Sequence, residues 1–269
     1  MKLDYVLLDP TGNMTILVET PVPTASQPLS AAALLKAEPT AEQVGFLSPG
    51  DGACDLSLRM AGGEFCGNAA MSAAALFCEK SGRSGTVRVR ISGAAAPVAV
   101  EVTRTETGVF LGAVEMPRPA APETVTLVGN DQSFRLPLVR FDGISHLIVR
   151  QPLERAFAER VIRPWCAELG ADCLGLMLLD EPAGTLTPLV YVPGVDSLYW
   201  ERSCASGTAA VGAFLAAERG APVALRLAEP GGILGVSAQP GAAPILRGSV
   251  RLRKRARLDW ESDAPHKLR

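Results

Sequence analysis

Met60-Ala61-Gly62-Gly63-Glu64-Phe65-Cys66-Gly67-Asn68 and Ser203-Cys204-Ala205-Ser206-Gly207-Thr208 decide how this chain is read. Each places a cysteine at the opening of an apolar, small-residue run, Asn68–Lys80 after the first and Gly207–Arg219 after the second. Both runs predict helices that are buried all round. A thiol at a helix N-terminus meets unpaired backbone N–H groups and the positive end of the dipole. That setting is expected to favour the thiolate at Cys66 and at Cys204 alike, and the same N–H groups can hold a carboxylate.

Working outward, the flanks of the two cysteines also correspond. Asp9-Pro10-Thr11-Gly12-Asn13 leads into the apolar run Met14–Val18, and Asp142-Gly143-Ile144-Ser145-His146 leads into Leu147–Val149. Each Asp-led turn precedes its cysteine at a similar spacing. Two elements recurring in the same order point to a duplicated domain. Met116-Pro117-Arg118-Pro119-Ala120-Ala121-Pro122 is the natural linker, because its prolines can hold neither a ladder nor a helix. The division expected is residues 1–118 and 119–269, with a late strand near 250–260 able to return to the first half.

Alternation and β-branched residues between Gly and Pro breaks predict strands at Tyr5–Leu8, Thr15–Glu19, Asp55–Met60, Thr86–Ile91, Val98–Thr103 and Phe110–Met116. In the second half they predict Leu136–Arg140, Leu147–Arg150, Leu174–Leu179, Thr187–Val192 and Val223–Ala228. Further helices are expected at Ser30–Ala37 and at Leu153–Leu169, the latter interrupted or kinked by Pro164. The fold class is therefore mixed α/β (α+β), rich in strands and poor in helices.

The chain has 269 residues and a net charge of -2, so nothing global suggests nucleic acid or an anionic membrane as partner. The N-terminus reads directly as a strand, with no signal-peptide pattern, and no apolar run reaches the length of about 18 residues that spans a bilayer. A cytoplasmic location is expected. Six cysteines, at 54, 66, 78, 166, 173 and 204, then read as reduced thiols. No Cys-x-x-Cys occurs and the histidines are His146 and His266, so no metal site is expected. Cys54, Cys78, Cys166 and Cys173 are read as small packed hydrophobes. The paired motifs set Cys66 and Cys204 apart.

Gly12-Asn13, Glu64-Phe65-Cys66-Gly67-Asn68 and Cys204-Ala205-Ser206-Gly207-Thr208 together resemble the diaminopimelate epimerase and proline racemase superfamily over nearly the whole chain. The Cys-Gly-Asn element is specific; in the second element Ala205 stands where Gly is usual. The resemblance implies two pseudo-symmetric domains, each a mixed sheet wrapped around a central helix. It also implies stereoinversion without pyridoxal phosphate or any other cofactor. Cys66 and Cys204 would be the two acid/base groups, one on each face of the substrate's α-carbon. Residue by residue, Asn13 and Gln43 match substrate-side positions, Gly67 and Asn68 the first carboxylate-binding turn, and Ala205 and Ser206 the second.

The departures narrow the substrate. Gly143-Ile144-Ser145-His146 stands where diaminopimelate epimerases carry Gly-Asn-Pro-His. Glu201-Arg202 lies almost against Cys204 instead of well upstream. The clamp on a distal zwitterion is thus missing. Met60–Ala69, Thr187–Val192 and Trp200-Glu201-Arg202-Ser203-Cys204 are closer to the histidine racemases that supply D-histidine for staphylopine-type opine metallophores. L-Histidine is therefore expected ahead of diaminopimelate. Glu42, Gln43 or Glu201 are the candidates to meet its imidazole. An amino acid is the expected partner, with room for a homodimer but for neither nucleic acid nor membrane.

Other signals carry less. Arg251–Leu258 is basic, but its alternation reads as a late strand with one solvated face. Gly231-Gly232-Ile233-Leu234-Gly235 lacks the Lys-Ser/Thr of a phosphate loop and reads as a turn. The polar tail 259–269 is expected to fray. His146 reads as a hydrogen-bonded structural residue or, alternatively, as a base. Two non-racemase readings stay open: a phenazine-biosynthesis-type isomerase of the same fold, and a binding protein that only captures an amino acid.

Overall fold

The computed structural model describes residues 1–260. The chain forms two compact units. One comprises Met1–Pro10, Met14–Gly112 and the chain from Val250; the other comprises Thr11–Asn13 and Ala113–Ser249.

In the first unit, β1 (Lys2–Pro10), β2 (Thr15–Val18), β3 (Gln43–Pro49), β4 (Leu56–Met60), β5 (Gly85–Ile91), β6 (Val98–Arg104) and β7 (Phe110–Glu115) follow one another in space as in sequence. Pairs β2–β3 and β4–β5 are parallel. Parallel neighbours need a crossover, supplied by α1 (Gln27–Ala37) and α2 (Gly67–Ser81). The last strand, β16 (Ile245–Asp259), borders β7 and also pairs antiparallel with β1, so the order closes on itself. The basic run lies on this strand, where Arg253 pairs with Asp9, Lys254 with Glu38, Arg255 with Glu79 and Arg257 with Asp4.

In the second unit, β8 (Glu123–Gly129), β9 (Gln132–Phe141) and β10 (Ile144–Val149) are antiparallel neighbours. A crossover through α3 (Arg155–Glu168) makes β11 (Leu174–Asp180) parallel to β10. Next come β12 (Thr185–Val192), β13 (Ser197–Trp200) on its flank, and α4 (Ala205–Arg219). They are followed by β14 (Val223–Glu229), parallel to β12, and β15 (Gly232–Ala238).

Helices α2 and α4 owe their composition to their surroundings. Helix α2 packs against β1, β2, β4, β5 and β6, and α4 against β9, β10, β11, β14 and β15. A helix contacted from so many directions has no solvent face along most of its length, so charges appear only near its C-terminal end, and Ala and Gly let the strands come close. A Cβ on Gly212 of α4 would stand 2.6 Å from Val236 Cγ2. Both helices end at a left-handed glycine, Gly82 and Gly220, as C-capping requires.

Several sequence-based expectations need correction. Pro164 does not interrupt α3, which runs through it. The next residue, Trp165, is fully buried and donates its indole N–H to Val128 O at 2.8 Å, which anchors the last turn. The Gly-rich segment after Pro230 is a turn only at its start, and Gly232–Ala238 is β15, paired on both edges. Strands β3, β8 and β13 had no sequence prediction. Asp259 does not fray, since it pairs with Lys2, and Trp260 is buried with its N–H on Met1 O. The rest of the expected tail, and His266, lie outside the described residues.

Candidate functional site

Cys66 is the N-cap of α2, in extended backbone (φ -134°, ψ 111°). Its Sγ accepts the N–H of Ala69 at 3.4 Å and donates to Gln43 Oε1 at 3.1 Å. Gln43 is placed by the parallel register of β2 and β3, which sets it opposite Thr15, and its Nε2 donates to Thr15 Oγ1 at 2.8 Å. The approach to the cysteine is held by Ser92, whose hydroxyl donates to Glu64 O at 2.9 Å. Next to it, a Cβ on Gly93 would sit 2.3 Å from Phe65 N. Gly67 and Asn68 are buried in the first turn of α2. Glu42 is exposed, with its N–H on Met14 O at 2.8 Å. Thus Cys66, Gln43, Gly67 and Asn68 come together, while Glu42 borders them.

Cys204 repeats the geometry at α4 (φ -123°, ψ 105°), its Sγ accepting the N–H of Gly207 at 3.4 Å. Gly207 is glycine for a steric reason: a Cβ there would lie 2.1 Å from Met177 Sδ and 3.1 Å from Cys204 Sγ. Ala205 and Ser206 form the first turn, with Ser206 Oγ 3.7 Å from Cys204 Sγ. Ser206 Oγ is also 3.0 Å from His146 Nε2. His146 is fully buried on β10, edge-on to Phe141 and against the bare Cα face of Gly175. Burial drives its pKa down to about 3, so the imidazole is neutral.

The thiolate expected at Cys204 is not what its environment favours. Burial pushes this thiol well above its usual range, Glu201 and, where it is ionised, Glu229 add negative charge, and the thiol hydrogen-bonds to Glu201. The Gly207 N–H pulls the other way and is outweighed. Desolvation disfavours the charged form of a buried thiol, and here it exceeds what the helix N-terminus contributes.

Asn13 belongs to the second unit and is buried. Thr11, two residues before it, exchanges hydrogen bonds with Ser249. Gly12 lies so close to Gly231 that a Cβ on it would stand 2.4 Å from Gly231 Cα. Sequence reasoning missed Glu229 and Thr208. Glu229 Oε2 accepts the N–H of Cys204 at 2.8 Å, and Oε1 lies 2.5 Å from Thr208 Oγ1. The signal was present in Glu229-Pro230-Gly231-Gly232, an acid leading into a tight turn, but its partner lies 25 residues earlier.

The other four cysteines are not in disulfides; Cys54, Cys78 and Cys166 are buried and Cys173 half-buried. Among the described residues, no group of three or more His, Cys, Asp or Glu is arranged to hold a metal ion. No helix among them is long and apolar enough to cross a membrane.

Comparison with known proteins follows the same lines. The family profile described as the histidine racemase CntK N-terminal domain matches residues 2–251. A histidine racemase of Fusobacterium nucleatum subsp. nucleatum is 32% identical over 227 residues, covering 79% of this chain and 81% of that one. A histidine racemase of Staphylococcus aureus is 30% identical over 224 residues, covering 79% of each chain. Among solved structures, a hydroxyproline epimerase from Agrobacterium vitis superposes with a TM-score of 0.70 at 13% identity. That match covers 96% of this chain and 92% of the other, a likeness of fold.

Proposed function

Since the chain belongs to the histidine racemase family and is an isomerase of the racemase and epimerase kind, we propose that it interconverts L- and D-histidine by cofactor-free, two-base proton transfer. Cys66 and Cys204 are the two bases. The observation that carries this reading is the doubled N-cap: each cysteine opens a buried helix, and each Sγ takes the N–H three residues on at 3.4 Å. One thiolate removes the α-proton from one face, and one thiol returns a proton to the other. For the opposite enantiomer the roles exchange.

The environment of Cys204 favours its thiol form, the state in which it donates a proton to the α-carbon. The remaining N–H groups at the starts of α2 and α4, around Gly67-Asn68 and Ala205-Ser206, bind the α-carboxylate and the charge that builds on it. Gln43 orients Cys66 as Glu201 meets Cys204, and Glu42, Gln43 and Glu201 are the candidates for the imidazole. Asn13 lines the substrate side.

The same reading takes the chain as a duplication joined through Met116–Pro122, with halves 1–118 and 119–269 and β16 returning to the first. What supports it is element order. From β1 to β6, and from β9 to β15, each half runs strand, strand, helix, strand, strand, helix, strand, strand, with β13 as an addition. In each half the second helix, α2 or α4, is the one that the sheet wraps. Thiol chemistry of this kind suits a reducing cytoplasm, and D-histidine is a building block for an opine metallophore.

The test is incubation with L-histidine in deuterated water without added cofactor, followed by chiral chromatography and mass spectrometry. D-Histidine carrying α-deuterium is expected. Faster turnover of LL-diaminopimelate than of L-histidine would reject the substrate and leave the chemistry standing. Binding without exchange would reject the chemistry.

A further inference from the structure

Glu229 is a buried carboxyl beside Cys204 for which the two-base reaction has no role. It ends β14, and only 7% of it is exposed. Its two oxygens are both engaged on α4: Oε2 by the backbone N–H of Cys204, Oε1 by the hydroxyl of Thr208. The backbone of the same hairpin reinforces the grip, because Gly231 N–H donates to Arg202 O at 2.6 Å. The chain on both sides of Ser203 is therefore tied to the β14–β15 turn. Only glycine permits this approach: a Cβ on Gly231 would stand 2.6 Å from Thr11 O and 3.0 Å from Arg202 O.

Both oxygens are engaged: Oε2 accepts the Cys204 N–H and Oε1 accepts the Thr208 hydroxyl. A neutral carboxyl keeps both contacts by donating from Oε1 to the same hydroxyl, which can serve as donor or acceptor. Burial, aided by the Glu201 carboxylate, raises the Glu229 pKa to about 8 against the lowering by Thr208 and the Cys204 N–H. The groups whose charge bears on it are Glu201 and the Cys204 thiol itself. An ionised Glu229 would stand beside a sulfur that has to become negative in half of the catalytic cycle.

We propose that Glu229 is the positioning residue of Cys204: as a neutral carboxyl it locks the first turn of α4 to the β14–β15 hairpin, and on ionising it holds Cys204 in the thiol form. This rests on the two-base reading of the reaction.

The experiment compares the full-length protein with Glu229→Gln and Glu229→Ala by steady-state kinetics across pH and by amide hydrogen exchange over residues 204–208. Gln keeps both hydrogen bonds of the neutral acid and cannot ionise. It is expected to hold kcat within about threefold of wild type at pH 7 and to move the alkaline fall of kcat, which sets in near pH 8 in the wild type, to higher pH. Ala is expected to lower kcat by about twentyfold or more, with KM within about threefold, and to speed exchange over the turn about tenfold. Should Glu229→Ala fail to fold, Thr208→Val with the Gln variant's pH profile decides. Wild-type kcat and slow exchange in Glu229→Ala overturn the proposal, as does an unmoved alkaline limb in Glu229→Gln. If the wild type racemises nothing, the two-base reading falls, and the exchange comparison still decides whether Glu229 locks the turn.

Discussion

Gln43 Oε1 stands 3.1 Å from Cys66 Sγ while Gln43 Nε2 stands 2.8 Å from Thr15 Oγ1. One amide thus bridges the cysteine and the strand beside it. Gln43→Leu removes the acceptor while keeping the bulk. The expected result is a loss of about tenfold in kcat with KM within about threefold. A raised KM at unchanged kcat would instead place Gln43 on the substrate.

Cys66→Ser and Cys204→Ser each replace the proton carrier on one face by a hydroxyl far too weak an acid. Racemisation is expected to fall by roughly 100- to 10,000-fold in either variant. Exchange of the α-proton of one enantiomer should outlast racemisation, because the surviving thiol still serves its own face. Chiral chromatography alongside deuterium incorporation measures the two separately. Appreciable racemisation by either variant would remove that cysteine from the chemistry.

His146 supplies an acid-sensitive element. Its native pKa near 3 lies below the ordinary 6.5, so between these values the unfolded chain binds a proton that the native protein refuses. Its contribution to stability is complete above pH 6.5 and is lost progressively as pH falls towards 3. Melting temperatures from pH 7 to pH 4 should therefore drop more steeply for wild type than for His146→Gln. Parallel pH slopes in the two proteins would show that the imidazole is not held neutral.

Ser206 divides its hydroxyl between His146 and Cys204, at 3.0 and 3.7 Å. Ser206→Ala withdraws the only hydroxyl reaching this sulfur among the described contacts. Activity is expected to fall about fivefold to tenfold, with the acid limb of the kcat profile moving to higher pH as the thiolate becomes harder to form. An unchanged profile would confine Ser206 to carboxylate binding through its backbone.

Gly12 has φ +94° and no space for a side chain against Gly231. Gly12→Ala is expected to cost about 2 kcal/mol, a drop of about 5 °C in Tm. Activity should fall further than stability, because Asn13 follows directly. Calorimetry with kinetics on the folded fraction checks both.

Sequence alone determined the elements whose signal is local. The two Cys-led, small-residue helices were legible because burial on all sides selects Ala and Gly along one continuous stretch, and a residue that opens a helix is marked by its neighbours. Strands with clean alternation, such as Thr86–Ile91, were legible for the same reason. The family, and with it the racemase activity, followed from those motifs and their order. Tertiary structure alone decided the rest. Strand β15 carries two glycines and is a strand because β14 and β16 flank it, while β3 carries Gly45 opposite Met60 and fades into Ser48-Pro49. Pro164 lies inside α3, where the burial of Val161, Ile162, Trp165 and Cys166 outweighs the helix bond that it removes. The state of Cys204 depends on desolvation and on two carboxyl groups, one of them 25 residues away at the end of β14. Solvent exclusion and through-space charge belong to the packed chain, and no stretch of sequence contains them.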